Sequence, residues 1–265
     1  MNDHMVVLTS LSPKENCRDR QQAALESWRA AGFHAVSLNP EAETGIIRKT
    51  YGSSAEVLAV DRLCSHGAGR QLVAVTDLIE RSFEKNLHAA FLLNADIQLA
   101  REATGILGSF REGVTMIPRW EIDRTGELEN CEMNPWGYDG VLLGPEMRGV
   151  FLCRAFGLGL PWWDYWIPFR ALHLGYPVRV LQQPVAFHVR HAEQWNERDR
   201  ARLAGKVWHE VGVPPWKRFW RKHLGPKKDR KFYGYHNHLA GHVRAIIREK
   251  AVFSGFHDGK AERPC

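Results

Sequence analysis

An α/β fold is predicted for this chain: a mixed, mostly parallel sheet with helices on both faces, followed by a basic C-terminal extension. Three observations predict it. The first 100 residues alternate short apolar runs with segments of helical period, the rhythm of strand and crossover-helix units. The run Phe91-Leu92-Leu93 has no polar alternation, as expected of a strand covered on both faces. Charge is also segregated. Residues 214–265 hold 13 Lys and Arg against 4 acids, a net of +9, which leaves residues 1–213 at −3.

The elements follow in order. "MVVLTS" reads as a buried strand, "QQAALESWRAAG" as a helix ending at Gly32, "HAVSLN" as a second strand and "AEVLAV" as a third. "RQLVAVTDLIERSFEKN" predicts a long amphipathic helix feeding "AAFLLNADI", and "REATGILGSF" a further helix. "VTMIPRW" and "GVLLG" read as strands, and the polar stretch between them as either a hairpin or a loop over the site. "PEMRGVFLCRAFG" is expected to be helical. In "LPWWDYWIPFRALHLG" the ring of Pro168 would clash with the carbonyl of Asp164 in a continuous helix. The helix is therefore expected to start at Pro168 and stop before Gly175, with Asp164 in its approach. "PVRVLQQPVAFHVRH" contains a strand and "NERDRARLAGKVWHEVG" a charged helix. The "VPP" at 213–215 marks a boundary between a domain over 1–213 and the extension over 214–265.

Composition narrows the function. With 265 residues and 44% hydrophobic residues, the chain can cover a sizeable core. No apolar run approaches the roughly 20 residues of a spanning helix, and "MNDHMVVLTS" lacks a signal-peptide pattern. A cytoplasmic protein is expected, and the odd set Cys17, Cys64, Cys131, Cys153 and Cys265, without a C-x-x-C pair, fits reduced thiols. A nucleic-acid partner is disfavoured, because that reading rests on the tail alone. The mixture of cations and aromatics over 214–250 also suits peripheral contact with the inner face of an anionic membrane. Neither a G-x-G-x-x-G nor a G-x-x-x-x-G-K-[ST] motif occurs.

Several residues stand where chemistry is expected. Asp96 lies just past the strand end in "FLLNADIQL", at the edge where open parallel sheets bind ligands; the alternative is a capping Asp. Thr9, Ser10 and Asn39 end the first two strands, and Arg70 in "GAGR" precedes the long helix, where a phosphate would meet it. Asp164 sits among Trp162, Trp163, Tyr165 and Trp166, which would desolvate it and raise its pKa toward that of a useful base. His188 and His191, in "FHVRH", point to opposite faces if the strand continues, so both reach one ion only if the chain turns.

Asp96 in "NADI", Asp164 in "PWWDYW" and the histidines of "FHVRH", in this order, resemble the GT-A glycosyltransferases, over about residues 5–212. The resemblance implies transfer of a sugar from a nucleoside diphosphate donor to a glycan, lipid-linked or protein acceptor. It implies a D-x-D motif whose last position is Asp96 and whose first is Asn94, an amide that brings no charge. It also implies Mn²⁺ or Mg²⁺ held by Asp96 with His188, the preferred histidine, and His191. On this reading Thr9, Ser10, Asn39, Arg70, Asn94 and Asp96 face the donor. Asp139, Trp162, Trp163 and Trp166 face the acceptor, and Asp164 is the catalytic base. The enzymatic alternative is a nucleotidyltransferase, but "LTSLSPKEN" lacks the Gly-rich loop such enzymes carry after the first strand. The non-enzymatic alternative is a nucleic-acid or membrane binder acting through the tail.

Overall fold

The computed structural model describes residues 5–64, 71–84, 89–110, 112–128, 130–191, 197–211 and 232–254. Arg70 therefore lies outside the described residues. The strands are β1 (Val6–Thr9), β2 (His34–Pro40), β3 (Glu56–Val60), β4 (Ala90–Leu93), β5 (Ile97–Leu99), β6 (Val114–Ile122), β7 (Glu132–Leu143), β8 (Val178–Leu181), β9 (Ala186–Val189) and β10 (Val252–Ser254). The α-helices are α1 (Arg18–Ala30), α2 (Glu41–Tyr51), α3 (Val75–Glu84), α4 (Ala103–Leu107), α5 (Trp163–His173), α6 (Glu197–Val211) and α7 (Phe232–Lys250).

The main sheet runs β10-β8-β6-β7-β4-β1-β2-β3, with β9 beside β6 and β5 beside β9. Its pairs are mostly parallel, and β7 runs antiparallel to both β4 and β6. Alternate strand residues feed two cores. Leu8, Val36, Leu92 and Val141 pack with α3, α5, α6 and α7 on one face. Val7, Ala35, Phe91 and Leu142 pack with α1, α2 and α4 on the other. Each fully buried large apolar side chain among these contributes about 1.5–3 kcal/mol.

This topology decides where a ligand can bind. After β1 the chain moves outward to β2 and β3, then returns through α3 to β4 on the other side of β1. The strand order reverses between β1 and β4, and the crevice at their C-terminal ends is the switch point of an open α/β sheet. Ser10 follows β1 there, and Asn94, Ala95 and Asp96 follow β4.

Several expected elements are changed. Of the helix expected over 70–86, the described part runs from Val75 to Glu84, and Ala74 before it makes a strand-like bridge to Gly157. Of 145–157 only Pro145–Met147 is helical, as a 3₁₀ turn. Gly149 then takes a left-handed φ of 74° and the chain extends to give the Phe156 carbonyl to the Val75 amide. The stretch between β6 and β7 is a hairpin. The strand expected within 177–191 is two, β8 and β9.

The α5 start also differs. The helix begins at Trp163, contains Pro168, and carries Asp164 in its first turn. Pro168 removes one hydrogen bond, a cost of about 3 kcal/mol in a helix interior. Trp166, Ile167 and Phe169 are buried around it, and at about 1.5–3 kcal/mol each they outweigh that loss.

The described part of the basic extension packs on the body. Leu239, Ala240, Val243 and Ile247 of α7 join the core built with α5 and α6, and β10 adds to the sheet parallel to β8. Among the described residues no helix is long and apolar enough to cross a membrane.

Candidate active site

At the switch point lies a cavity of about 1090 Å³, large enough for a nucleotide-sized ligand. The β1–α1 loop, with Ser10, Ser12 and Lys14, and the first turn of α1, with Arg20, form one wall. Buried polar groups hold that loop in shape. Asn39 Nδ2 donates to the Leu11 carbonyl at 2.7 Å, Ser37 Oγ accepts from the Leu11 amide at 3.0 Å, and Gln21 Oε1 accepts from the Ser12 amide at 2.6 Å. Asn39 thus supports the donor-side loop from beneath and does not line the cavity. Thr9 is likewise fully buried, its hydroxyl donating to the Leu93 carbonyl at 2.8 Å to tie β1 to β4.

A second wall holds the metal-ligand candidates. β9 pairs antiparallel with β5, which sets His188 opposite Ile97, and parallel with β6, which sets it opposite Glu121. β9 ends at Val189, and the turn after it brings His191 back: its Nε2 lies 3.1 Å from His188 Nε2 and 3.0 Å from Asp96 Oδ2. Among the described residues, Asp96, His188 and His191 are the one set of three such groups whose ligand atoms all lie within 4.8 Å of one another. Two imidazole nitrogens and one carboxylate make a donor set that a divalent transition metal can use. His188 Nδ1 sits 2.9 Å from Glu121 Oε2, an arrangement that leaves Nε2 as the ligand atom. Burial opposes ionisation of Asp96, yet the hydrogen bond from His191 and the neighbouring imidazoles hold its carboxyl below the usual range.

A polar chain joins this cluster to the rest of the cavity. Glu121 Oε1 meets Arg119 Nε at 2.8 Å, and Arg119 Nη1 donates to Asp139 Oδ2 at 3.1 Å. Asp139 Oδ1 accepts from Asn94 Nδ2 at 2.8 Å. The strand irregularity around Pro118 accounts for this placement. β6 pairs with β8 before the bulge and with β9 after it, so Arg119 and Glu121 are re-aimed into the crevice. Gly137 leaves room for the guanidinium, since a Cβ there would lie 3.1 Å from Arg119 Nε. Burial raises Glu121, but hydrogen bonds with His188 and Asn134 prevail and lower its pKa to about 2. Sequence reading missed Arg119, Glu121 and Asn134. The one available signal was charged residues two apart, Arg119 and Glu121, in an otherwise apolar strand.

The third wall is the start of α5. Trp162 and Trp163 line the cavity with Asp164 between them and Tyr165. Trp166, expected on the acceptor side, is core instead, stacked on Phe156 at 4.6 Å between ring centroids. Burial and then the charge of Asp139 push Asp164 from 3.8 up to about 7, although backbone hydrogen bonds from Tyr138 and its own amide act the other way. Asp139 is itself raised by burial despite the nearby Arg119. The structure thus brings Ser10, Asn94, Asp96, Asp139, Trp162, Trp163, Asp164, His188 and His191 to one cavity, and leaves Thr9, Asn39 and Trp166 off its surface.

No protein-family model and no curated protein matches the sequence. Among solved structures, the chain is similar to a glucosyl-3-phosphoglycerate synthase from Mycobacterium tuberculosis in complex with phosphoglyceric acid, at 13% identity and a TM-score of 0.46 over 80% of each chain. It is also similar to the glycosyltransferase GlyE of Streptococcus pneumoniae TIGR4, at 11% identity and a TM-score of 0.38 over 86% of this chain and 66% of that one. A third match is a mannose-1-phosphate geranyltransferase from Thermus thermophilus, at 10% identity and a TM-score of 0.37. That match covers 65% of this chain and 63% of the other. These likenesses concern the chain path; the chemistry is read from the site.

Proposed function

We propose that the chain is a glycosyltransferase that moves a sugar from a nucleoside diphosphate donor to an acceptor hydroxyl. The observation that carries this reading is one cavity at a sheet switch point with two unlike walls: a convergent carboxylate and imidazole cluster, and a carboxyl pushed up to about 7. In it, Asp96, His188 and His191 would hold Mn²⁺ or Mg²⁺, which would supply positive charge against that developing on the departing diphosphate. Ser10, Ser12, Lys14 and Arg20 lie where a nucleotide would meet the β1–α1 loop and the first turn of α1. Asn94 positions Asp139, and Arg119 lies between Asp139 and Glu121 as counter-charge to both. Asp164 accepts the proton of the attacking hydroxyl, a role suited to a carboxylate poised near neutral pH.

The test is a screen of nucleotide sugars for donor hydrolysis and transfer, with and without Mn²⁺. The expected result is hydrolysis of at least one donor that depends on the metal and is lost in Asp96→Ala. Absence of nucleoside diphosphate binding by the folded protein in Mn²⁺ would reject the reading.

A further inference from the structure

Four aromatic residues around one acid are more than a base requires, and the structure shows what two of them also hold. Trp162 Nε1 donates to the Arg200 carbonyl of α6 at 2.7 Å. The hydroxyl of Tyr165 accepts from Arg244 Nε of α7 at 2.8 Å, with that guanidinium 5.5 Å from the Tyr165 ring centroid. Both arginines line the cavity on the wall that carries Asp164. Trp162 reaches its position with a φ of 81°, the only positive φ of a non-glycine residue among those described. A bulky residue there costs on the order of 1–3 kcal/mol, strain of the kind that concentrates at ligand sites.

We infer that this wall is an anion subsite, in which Arg200 and Arg244 bind a phosphate or carboxylate group of the acceptor beside Asp164. The word acceptor rests on the sugar-transfer reading; the anion subsite does not. A guanidinium is a planar fork of donors matched to carboxylate and phosphate oxygens, and Tyr165 fixes the plane of one such fork through its Nε. An acceptor recognised through hydroxyls alone would call for carboxylates and amides here. Two of the cavity's carboxylates are engaged elsewhere: Asp139 with Arg119 and Asn94, Glu121 with Arg119 and His188. Positive charge on this wall would offset the repulsion between an ionised Asp164 and an anionic acceptor. Arg244 belongs to the basic extension, so the extension carries part of the specificity.

The test titrates glycerol phosphate, glycerate and glycerol into protein preloaded with Mn²⁺ and UDP or GDP, read by calorimetry, and repeats the titrations without nucleotide. At least one anion is expected to bind on the order of tenfold or more tightly than glycerol. Arg244→Gln and Arg200→Gln should each remove most of that preference. Arg244→Lys should keep part of it, and nucleoside diphosphate affinity should not change. The ranking of phosphate and glycerate identifies the anion class. If Arg244→Gln lowers the melting temperature, Arg200→Gln decides alone. Equal binding of glycerol and both anions, or anion binding unaffected by both variants, overturns the subsite. Failure of UDP and GDP to bind, with the anion preference intact, rejects sugar transfer and leaves the subsite standing.

Discussion

Asp164 carries the most consequential single charge. In the proposed reaction only its ionised form accepts a proton, so kcat/KM should rise with pH through about 7. Asp164→Asn should lower kcat by about 10²–10⁴ and remove that limb, with donor affinity retained. The same shift acts oppositely on stability. Between about pH 4 and 7 the unfolded chain has lost this proton while the folded chain keeps it, so stability falls as pH rises. Thermal melts should therefore show Asp164→Asn gaining on the wild type across that window. At the proposed metal ligands, Glu121 holds His188 through Nδ1. Glu121→Gln should weaken Mn²⁺ binding by about 10–100-fold in a calorimetric titration, as loss of such a supporting partner typically does. An unchanged affinity would separate Glu121 from the metal site.

At the scale of elements, the β6–β7 hairpin assembles more of the site than any other piece. The bulge near Pro118 lets β6 serve two neighbours, β8 before it and β9 after it. Proline suits such a position because the ladder is already interrupted there. The start of β6 is pinned by Gly113, whose φ is 68° and where a Cβ would collide with the Pro177 carbonyl oxygen. Gly113→Ala should destabilise the protein by at least about 1–3 kcal/mol, visible as a lower midpoint in urea. A midpoint like that of the wild type would mean that β6 and β8 shift freely at this end.

For the whole molecule, the described part of the C-terminal extension belongs to the fold as well as to the site. Ile247 and Val243 are fully buried against the α5–α6 core, and β10 extends the sheet. Ile247→Ala should cost about 2–5 kcal/mol. Truncation after Val213 removes all of α7 and β10, so the shortened chain should lose cooperative unfolding by calorimetry and expose apolar surface. A truncated chain with an unchanged melting transition would show instead that residues 1–213 fold alone.

Local pattern determined the strand–helix rhythm of the first 100 residues, the buried β4, and the placement of Asp96 at a sheet edge. Those features depend on residue spacing and backbone chemistry over a few positions, and "FLLNADIQL" contains them. The histidine pair was legible as a pair, but that both reach Asp96 depends on the turn after Val189 and on β9 lying beside β5, a pairing of strands far apart in sequence. Arg119 and Glu121 needed a bulge and a change of partner strand before they faced the crevice. The α5 start was misread because a proline penalty is local, whereas the burial that outweighs it comes from α6, α7 and the sheet. Tertiary structure alone decided which of three similar tryptophans meet the cavity, because helix rotation sends Trp166 to Phe156 and leaves Trp162 and Trp163 at the wall. Short-range steric and hydrophobic preferences are written in neighbouring residues; the meeting of distant side chains is set by strand order, which no local pattern encodes.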